Sequence, residues 1–189
     1  GRQIALIPWL AQGPGFDLPM LLDHAGRTTL RVNGGVWFLW CGDGDEAAWL
    51  SASGSVLTDP AIATLGDYDS TAVTIRTKKG RLCQINTSRR AAYGYDQRFE
   101  VLGSTGMLQC GNLRPTEVVQ SDAASVRADK PEHFFLQRYR EAYRLELVHF
   151  FECLQSGAKF RTTIEDGVAA QKLADAAAKS LASGQAVSL

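Results

Sequence analysis

Two runs, Thr71–Thr77 (TAVTIRT) and Arg81–Thr87 (RLCQINT), are separated only by Lys78-Lys79-Gly80. Val73 and Ile75 share one side of the first run, and Cys83 and Ile85 share one side of the second. That period of two suits a half-buried strand and no helix. Glycine at the end of so short a connection supplies a positive φ for a tight turn. The segment is therefore an antiparallel hairpin, and the rest of the fold must be built around a sheet that contains it.

Further strands are expected on both sides of the hairpin. Ala47 to Leu57 (AAWLSASGSVL) reads as one, followed by the turn-rich loop TDPAIATLGDYDS, in which Asp67 and Asp69 are placed to cap a turn. Gln97 to Leu102 reads as another and ends in Gly103-Ser104-Thr105-Gly106; Met107 to Cys110 continues after it, and Glu117 to Gln120 adds a short one. Helices follow. From Glu132 to Gln155 apolar residues recur at Leu136, Tyr139, Tyr143, Leu147, Phe150 and Leu154, behind Pro131 in the first turn. Thr162-Thr163-Ile164-Glu165 is a capping-box pattern opening an alanine-rich helix to about Ser183, closed by Gly184, and the final AVSL is expected at a sheet edge. The fold class is α+β, an antiparallel or mixed open sheet with helices packed on one face. Residues 1–36 carry no persistent period, and IALIPWL is their only strand-like run.

Composition narrows the partners. Lysine plus arginine and aspartate plus glutamate number 20 each, so no global field recruits nucleic acid or an anionic membrane. Cys41, Cys83, Cys110 and Cys153 form no CxxC pair and the chain has three histidines, so no zinc site of ordinary spacing is expected. Scattered cysteines suit a reducing cytoplasm. No apolar run is long enough to span a bilayer, and proline and glycine interrupt GRQIALIPWLAQGPGF too early for a leader.

One stretch does not behave as strand or ordinary loop. SRRAAYGYDQR, from Ser88 to Arg98, brings three arginines, two tyrosines and an aspartate to the threshold of a strand. It reads as the polar wall of a site. If strand alternation extends through it, Tyr93, Tyr95 and Gln97 project from one sheet face, opposite the face covered by the Leu136–Leu154 stripe.

From Ser51 onward the chain resembles the C-terminal domain of the Gfo/Idh/MocA oxidoreductases, most closely the inositol 2-dehydrogenase branch. SASGSVLTDPAIATLGDYDSTAVTI, SRRAAYGYDQRFEVLGSTGMLQCGNLRPTEV, HFFLQRYREAYRLELVHFFECL and TTIEDGVAAQKLADAAAKSLASGQAV carry the resemblance, in unbroken order. It implies an NAD- or NADP-dependent oxidation of a polyol or sugar hydroxyl, with residues 37–189 as the substrate-binding and oligomerisation domain. The family's Rossmann domain, with its glycine-rich turn and EKP lysine, has no counterpart in this sequence. The family's Asp/His segment, which begins Gly-Gly, is matched only by Val32-Asn33-Gly34-Gly35-Val36-Trp37-Phe38-Leu39-Trp40, about three helical turns short. The chain alone is accordingly expected to bind no cofactor, to carry no catalytic or metal-ligating residue and to be inactive. It is expected to form a homo-oligomer through its sheet face.

Within that frame Tyr95 is the leading substrate residue, since a phenol can donate to or accept from a ring hydroxyl. Tyr93, Gln97 and Arg89 join it as substrate-binding candidates. The alternative for Tyr95 is an aromatic packed on the sheet with its hydroxyl in water, and for Arg89, Arg90 and Arg98 it is surface ion pairing. Asp96 is expected to hold Arg98 or backbone, His133 and His149 to be solvated or satisfied locally, and His24 falls in the unmatched segment. A second class of function is open: a non-catalytic assembly module whose sheet face joins copies of the chain.

Overall fold

Residues 29–33, 45–103 and 106–189 are described by the structure, a computed structural model; for 29–33 the backbone alone is described. The expectations for IALIPWL, His24 and the segment after Asn33 lie outside them. A seven-stranded mixed sheet has the order β6-β5-β1-β4-β3-β2-β9. Its strands are β1 (Thr29–Asn33), β2 (Ala47–Ser55), β3 (Ser70–Thr77), β4 (Leu82–Ser88), β5 (Arg98–Gly103), β6 (Gly106–Cys110) and β9 (Val187–Ser188). All neighbours are antiparallel except β1 and β4. The hairpin is β3–β4, closed over Gly80 at φ 83°. In its turn the Thr77 hydroxyl accepts the Arg81 N–H at 2.9 Å and the Asp45 carboxylate accepts the Lys79 N–H at 2.9 Å.

Alternation sorts the strands as the sequence indicates. Leu50, Ile75 and Cys83 form one row across β2, β3 and β4, and Ala52, Val73 and Ile85 form the next. All six are buried, in one core with Val101, Leu108 and the helical Leu173, Ala176 and Ala177. The helices are α1 (Ala61–Thr64), α2 (Phe135–Arg138), α3 (Arg140–Ser156) and α4 (Ile164–Ser183). Helix α4 lies on β2 and β9. Its small Ala176, Ala177 and Ser180 let the helix approach closely, and a methyl group on Gly54 of β2 would sit 2.7 Å from the Tyr68 ring and 2.9 Å from Leu181. Ser180 also completes the sheet edge where β9 stops: its hydroxyl accepts the Ala52 N–H at 2.9 Å and donates to the Gln185 carbonyl at 2.7 Å.

Four expectations are corrected. The long helix is two pieces, broken at Tyr139 (φ −104°, ψ 9°), whose hydroxyl donates to Gln97 just before β5. Its apolar stripe does not cover the sheet: Leu136, Tyr143, Leu147, Phe150 and Leu154 are all exposed, Leu154 at 60%. A 3.6-residue period marks an amphipathic helix but does not name the surface it faces, and the alanine-rich α4 takes that place. The cap of α4 is Thr163 with Asp166, one residue beyond the expected Thr162–Glu165 pair. Finally, β7 (Val119–Ser121) pairs with β8 (Val126–Ala128) in a separate two-stranded sheet. Strand β1 stands inside the segment that showed no period.

Candidate functional site

The stretch Ala91 to Gln97 is a turn, and β5 begins only at Arg98. Gly94 makes the turn possible. Its φ is 135°, and a Cβ there would lie 2.6 Å from the Pro131 carbonyl oxygen. The close approach lets the Tyr95 N–H donate to the Glu132 carbonyl at 2.7 Å, and the Glu132 N–H donates in turn to the Leu113 carbonyl at 2.9 Å. The turn is thus pinned to the segment leading into α2.

The candidate residues separate into three groups. In the first, Asp96 is the hub. It accepts the Tyr93 hydroxyl, Arg98 Nε at 2.7 Å and the Asn112 side-chain amide at 2.8 Å. Burial alone would raise the Asp96 carboxyl, but these donors outweigh it and hold the carboxyl below its ordinary range. The Asp96 hydrogen bond, with burial, raises the Tyr93 phenol. In the second, Arg89 reaches Asp67 at 2.6 Å while its N–H donates to the Asp69 carbonyl. Arg90 donates its N–H to the Ser88 hydroxyl at 3.3 Å.

The third group is Tyr95, Gln97 and Tyr139. The Tyr139 hydroxyl donates to Gln97 Oε1, and the Tyr95 and Tyr139 rings meet edge to face with centroids 5.7 Å apart. The Gln97 N–H is taken by Asn112 Oδ1 at 2.8 Å. Gln97 is buried, and Tyr95 is half-buried. Burial, followed by the neighbouring Tyr95, pushes the Tyr139 phenol far above its ordinary range, so it remains a proton donor throughout the physiological range.

The expected common face for Tyr93, Tyr95 and Gln97 is not found. Period two applies only inside a strand, and residues 93–97 are not one. Tyr95 contacts Tyr139, a member of the very stripe it was expected to avoid, yet it is not sealed beneath a helix. Tyr139 and Asn112 escaped the sequence reading. A tyrosine at an apolar heptad-like position shows nothing of its hydroxyl's task, and Asn112 lies among ordinary turn residues.

His149 accepts the Arg161 N–H at 3.1 Å and lies beside Cys153, while His133 is exposed. Among the described residues no group of three or more His, Cys, Asp or Glu is arranged to hold a metal. Nor do they fit a dinucleotide. Its diphosphate needs a glycine-rich turn opening onto a helix N-terminus. The long helix α4 instead opens on an acidic capping box with Glu165 and Asp166 in its first turn. No helix among the described residues is long and apolar enough to cross a membrane.

Comparison with known proteins agrees with this fold. A family described as "Oxidoreductase family, C-terminal alpha/beta domain" matches residues 45–189. The myo-inositol 2-dehydrogenase of Thermotoga maritima is 44% identical over 77% of this chain and 44% of its own length. An uncharacterized oxidoreductase, YrbE of Bacillus subtilis, is 41% identical over 77% of this chain and 43% of its length. The crystal structure of a myo-inositol dehydrogenase from Corynebacterium glutamicum superposes with a TM-score of 0.74 at 34% identity, over 86% of this chain and 56% of that one. The chain spans less than half the length of the curated relatives it matches. With strand order, register and core all accounted for, this chain belongs to the Gfo/Idh/MocA oxidoreductase family, matching its C-terminal α/β domain.

Proposed function

We propose that the chain is the substrate-binding and oligomerisation part of an NAD- or NADP-dependent polyol dehydrogenase acting on a ring polyol of the inositol class. The observation that carries this reading is the Tyr95–Tyr139–Gln97 constellation, neutral hydrogen-bonding groups held around aromatic rings. Such a lining suits a neutral, hydroxyl-rich ring: aromatic surface meets its C–H faces and amide or phenol groups meet its oxygens. The names of the relatives support the same substrate class. Tyr95 and Gln97 are the residues assigned to the ligand; Tyr93 and Arg89, each engaged by a carboxylate, are assigned a lesser part in it. The chain alone is assigned no turnover, a reading supported by the acidic capping box where a diphosphate would need a glycine-rich turn. We assign the protein to the cytoplasm, because scattered cysteines suit a reducing compartment.

A second reading has its own observation. On the sheet face away from α4, Trp49, Leu82, Leu102 and Met107 fall in one row across β2, β4, β5 and β6, with Arg76 of β3 between the first two. The last three are close to half exposed. A pure assembly module would need this row and no polyol site. Thermal melting with myo-inositol separates the two. Ligand at ten times its Kd stabilises a fold by about 1.4 kcal/mol, which raises Tm by about 3 °C for a domain of this size. The dehydrogenase reading expects that rise, together with no NAD-dependent oxidation by the purified chain. An unchanged Tm at all concentrations leaves the assembly module.

A further inference from the structure

Two shielded donors flank Tyr139 without acceptors. Gln97 is 2% exposed, and only one end of its amide is used: Oε1 takes the Tyr139 hydroxyl, while Nε2 meets no partner. Arg138 Nε is also shielded and without an acceptor. The Arg138 guanidinium carbon lies 5.5 Å from the centroid of the Tyr139 ring, so both donors border the same side chain. The ion pairs among the described residues employ other cations. Buried donors without partners are rare in folded proteins, and each calls for an explanation.

The Gln97 amide meets Tyr139 through its oxygen. With Oε1 taking the Tyr139 hydroxyl, the NH2 group of the amide turns the other way. What the NH2 and the guanidinium Nε lack is acceptor oxygen.

We propose that Arg138 is a ligand-binding residue, and that its Nε and Gln97 Nε2 together hold neighbouring hydroxyl oxygens of one ring polyol. The proposal rests on the reading of this turn as a polyol-binding wall. It adds a residue outside the SRRAAYGYDQR stretch and a requirement on the ligand, two adjacent hydroxyls offered as acceptors. It also gives the break between α2 and α3 a purpose, since Arg138 ends one helix and Tyr139 separates it from the next.

The test is calorimetric titration of the full chain with myo-inositol, using wild type, Gln97→Glu, Arg138→Met, Arg138→Lys and Arg144→Met. Gln97→Glu keeps an acceptor for Tyr139 and removes the free donor. Arg138→Met keeps a flexible apolar stem beside the Tyr139 ring and removes the guanidinium. Arg144 is an exposed residue paired with Glu141 and serves as control. The expected result is at least a tenfold loss of affinity in Gln97→Glu and Arg138→Met, at least threefold in Arg138→Lys, and none in Arg144→Met. Wild-type affinity in Arg138→Met alongside a loss in Gln97→Glu overturns the role of Arg138 and leaves the polyol wall standing. Absence of saturable binding by wild type overturns both, with solvent alone filling the gap. Should Arg138→Met melt early, the lysine variant decides, and unchanged affinity there also overturns the proposal.

Discussion

Asp69 illustrates how one buried carboxylate organises a loop. It accepts the backbone N–H groups of Leu57, Thr58 and Asp59 at 2.7 to 3.1 Å and the hydroxyls of Thr58 and Ser70 at 2.9 Å. Burial by itself would raise its carboxyl, but the three backbone donors and Ser70 overcome that and hold it far below the ordinary 3.8. A depressed folded value means the stabilisation is complete above pH 3.8 and is lost as pH falls from there through the folded value. Asp69→Asn should therefore be less stable than wild type at pH 7, and the gap should narrow as acid protonates the wild-type carboxylate. Urea melts of both proteins between about pH 7 and pH 2.5 read this directly; a gap independent of pH would remove the carboxylate's charge from the account. The turn-capping role of Asp69 was legible in the sequence, since an aspartate in a turn-rich loop has few other tasks. The partner of Gln97 was not, because residues 97 and 139 meet only through the tertiary fold.

At the scale of elements, periodicity located the hairpin, the alanine-rich helix and the β9 edge to within a residue or two. It failed where neighbours decide. Alternation predicts the inside of β3 and β4 correctly because both strands are regular, whereas residues 93–97 leave the strand and take their directions from Gly94 and Pro131. The stripe of α3 is real as a pattern, but which helix covers the sheet depends on side-chain size. Ala176 and Ala177 are buried against the sheet, while Leu147 and Phe150 stay exposed. The cap of α4 gives a test at this scale. Thr163 accepts the Asp166 N–H at 3.4 Å, and Asp166 accepts the Thr163 N–H at 2.9 Å. Thr163→Ala should cost about 1 kcal/mol, seen as a fall in Tm of about 2 to 4 °C, and Thr163→Ser should restore most of it. Equal melting of the alanine variant and wild type would mean that the cap contributes nothing in solution.

For the whole molecule the open question is what meets the sheet face away from α4. The row Trp49, Arg76, Leu82, Leu102 and Met107 is apolar but for Arg76, whose guanidinium carbon lies 5.8 Å from the centroid of the Trp49 ring. A second copy of the chain is the expected partner. Light scattering at micromolar concentration should show a dimer or larger species, and Leu102→Glu should shift it toward monomer, with a fall in Tm that follows the lost association. A monomer at every concentration would argue against the sheet face as an interface. The position of β1 has a separate consequence, in time rather than in space. Strands β2 to β4 can form as local hairpins, and so can β5 with β6. The sheet becomes continuous only when β1, the first of the described strands in chain order, slots between β4 and β5, which follow it much later. Closing such long loops is slow. Until it happens, the inner edges of β4 and β5 are two open strands able to recruit the wrong neighbour. Of the described strands, the first to be synthesised is thus the one that seals the sheet, and the facing edges of β4 and β5 stay open until it docks.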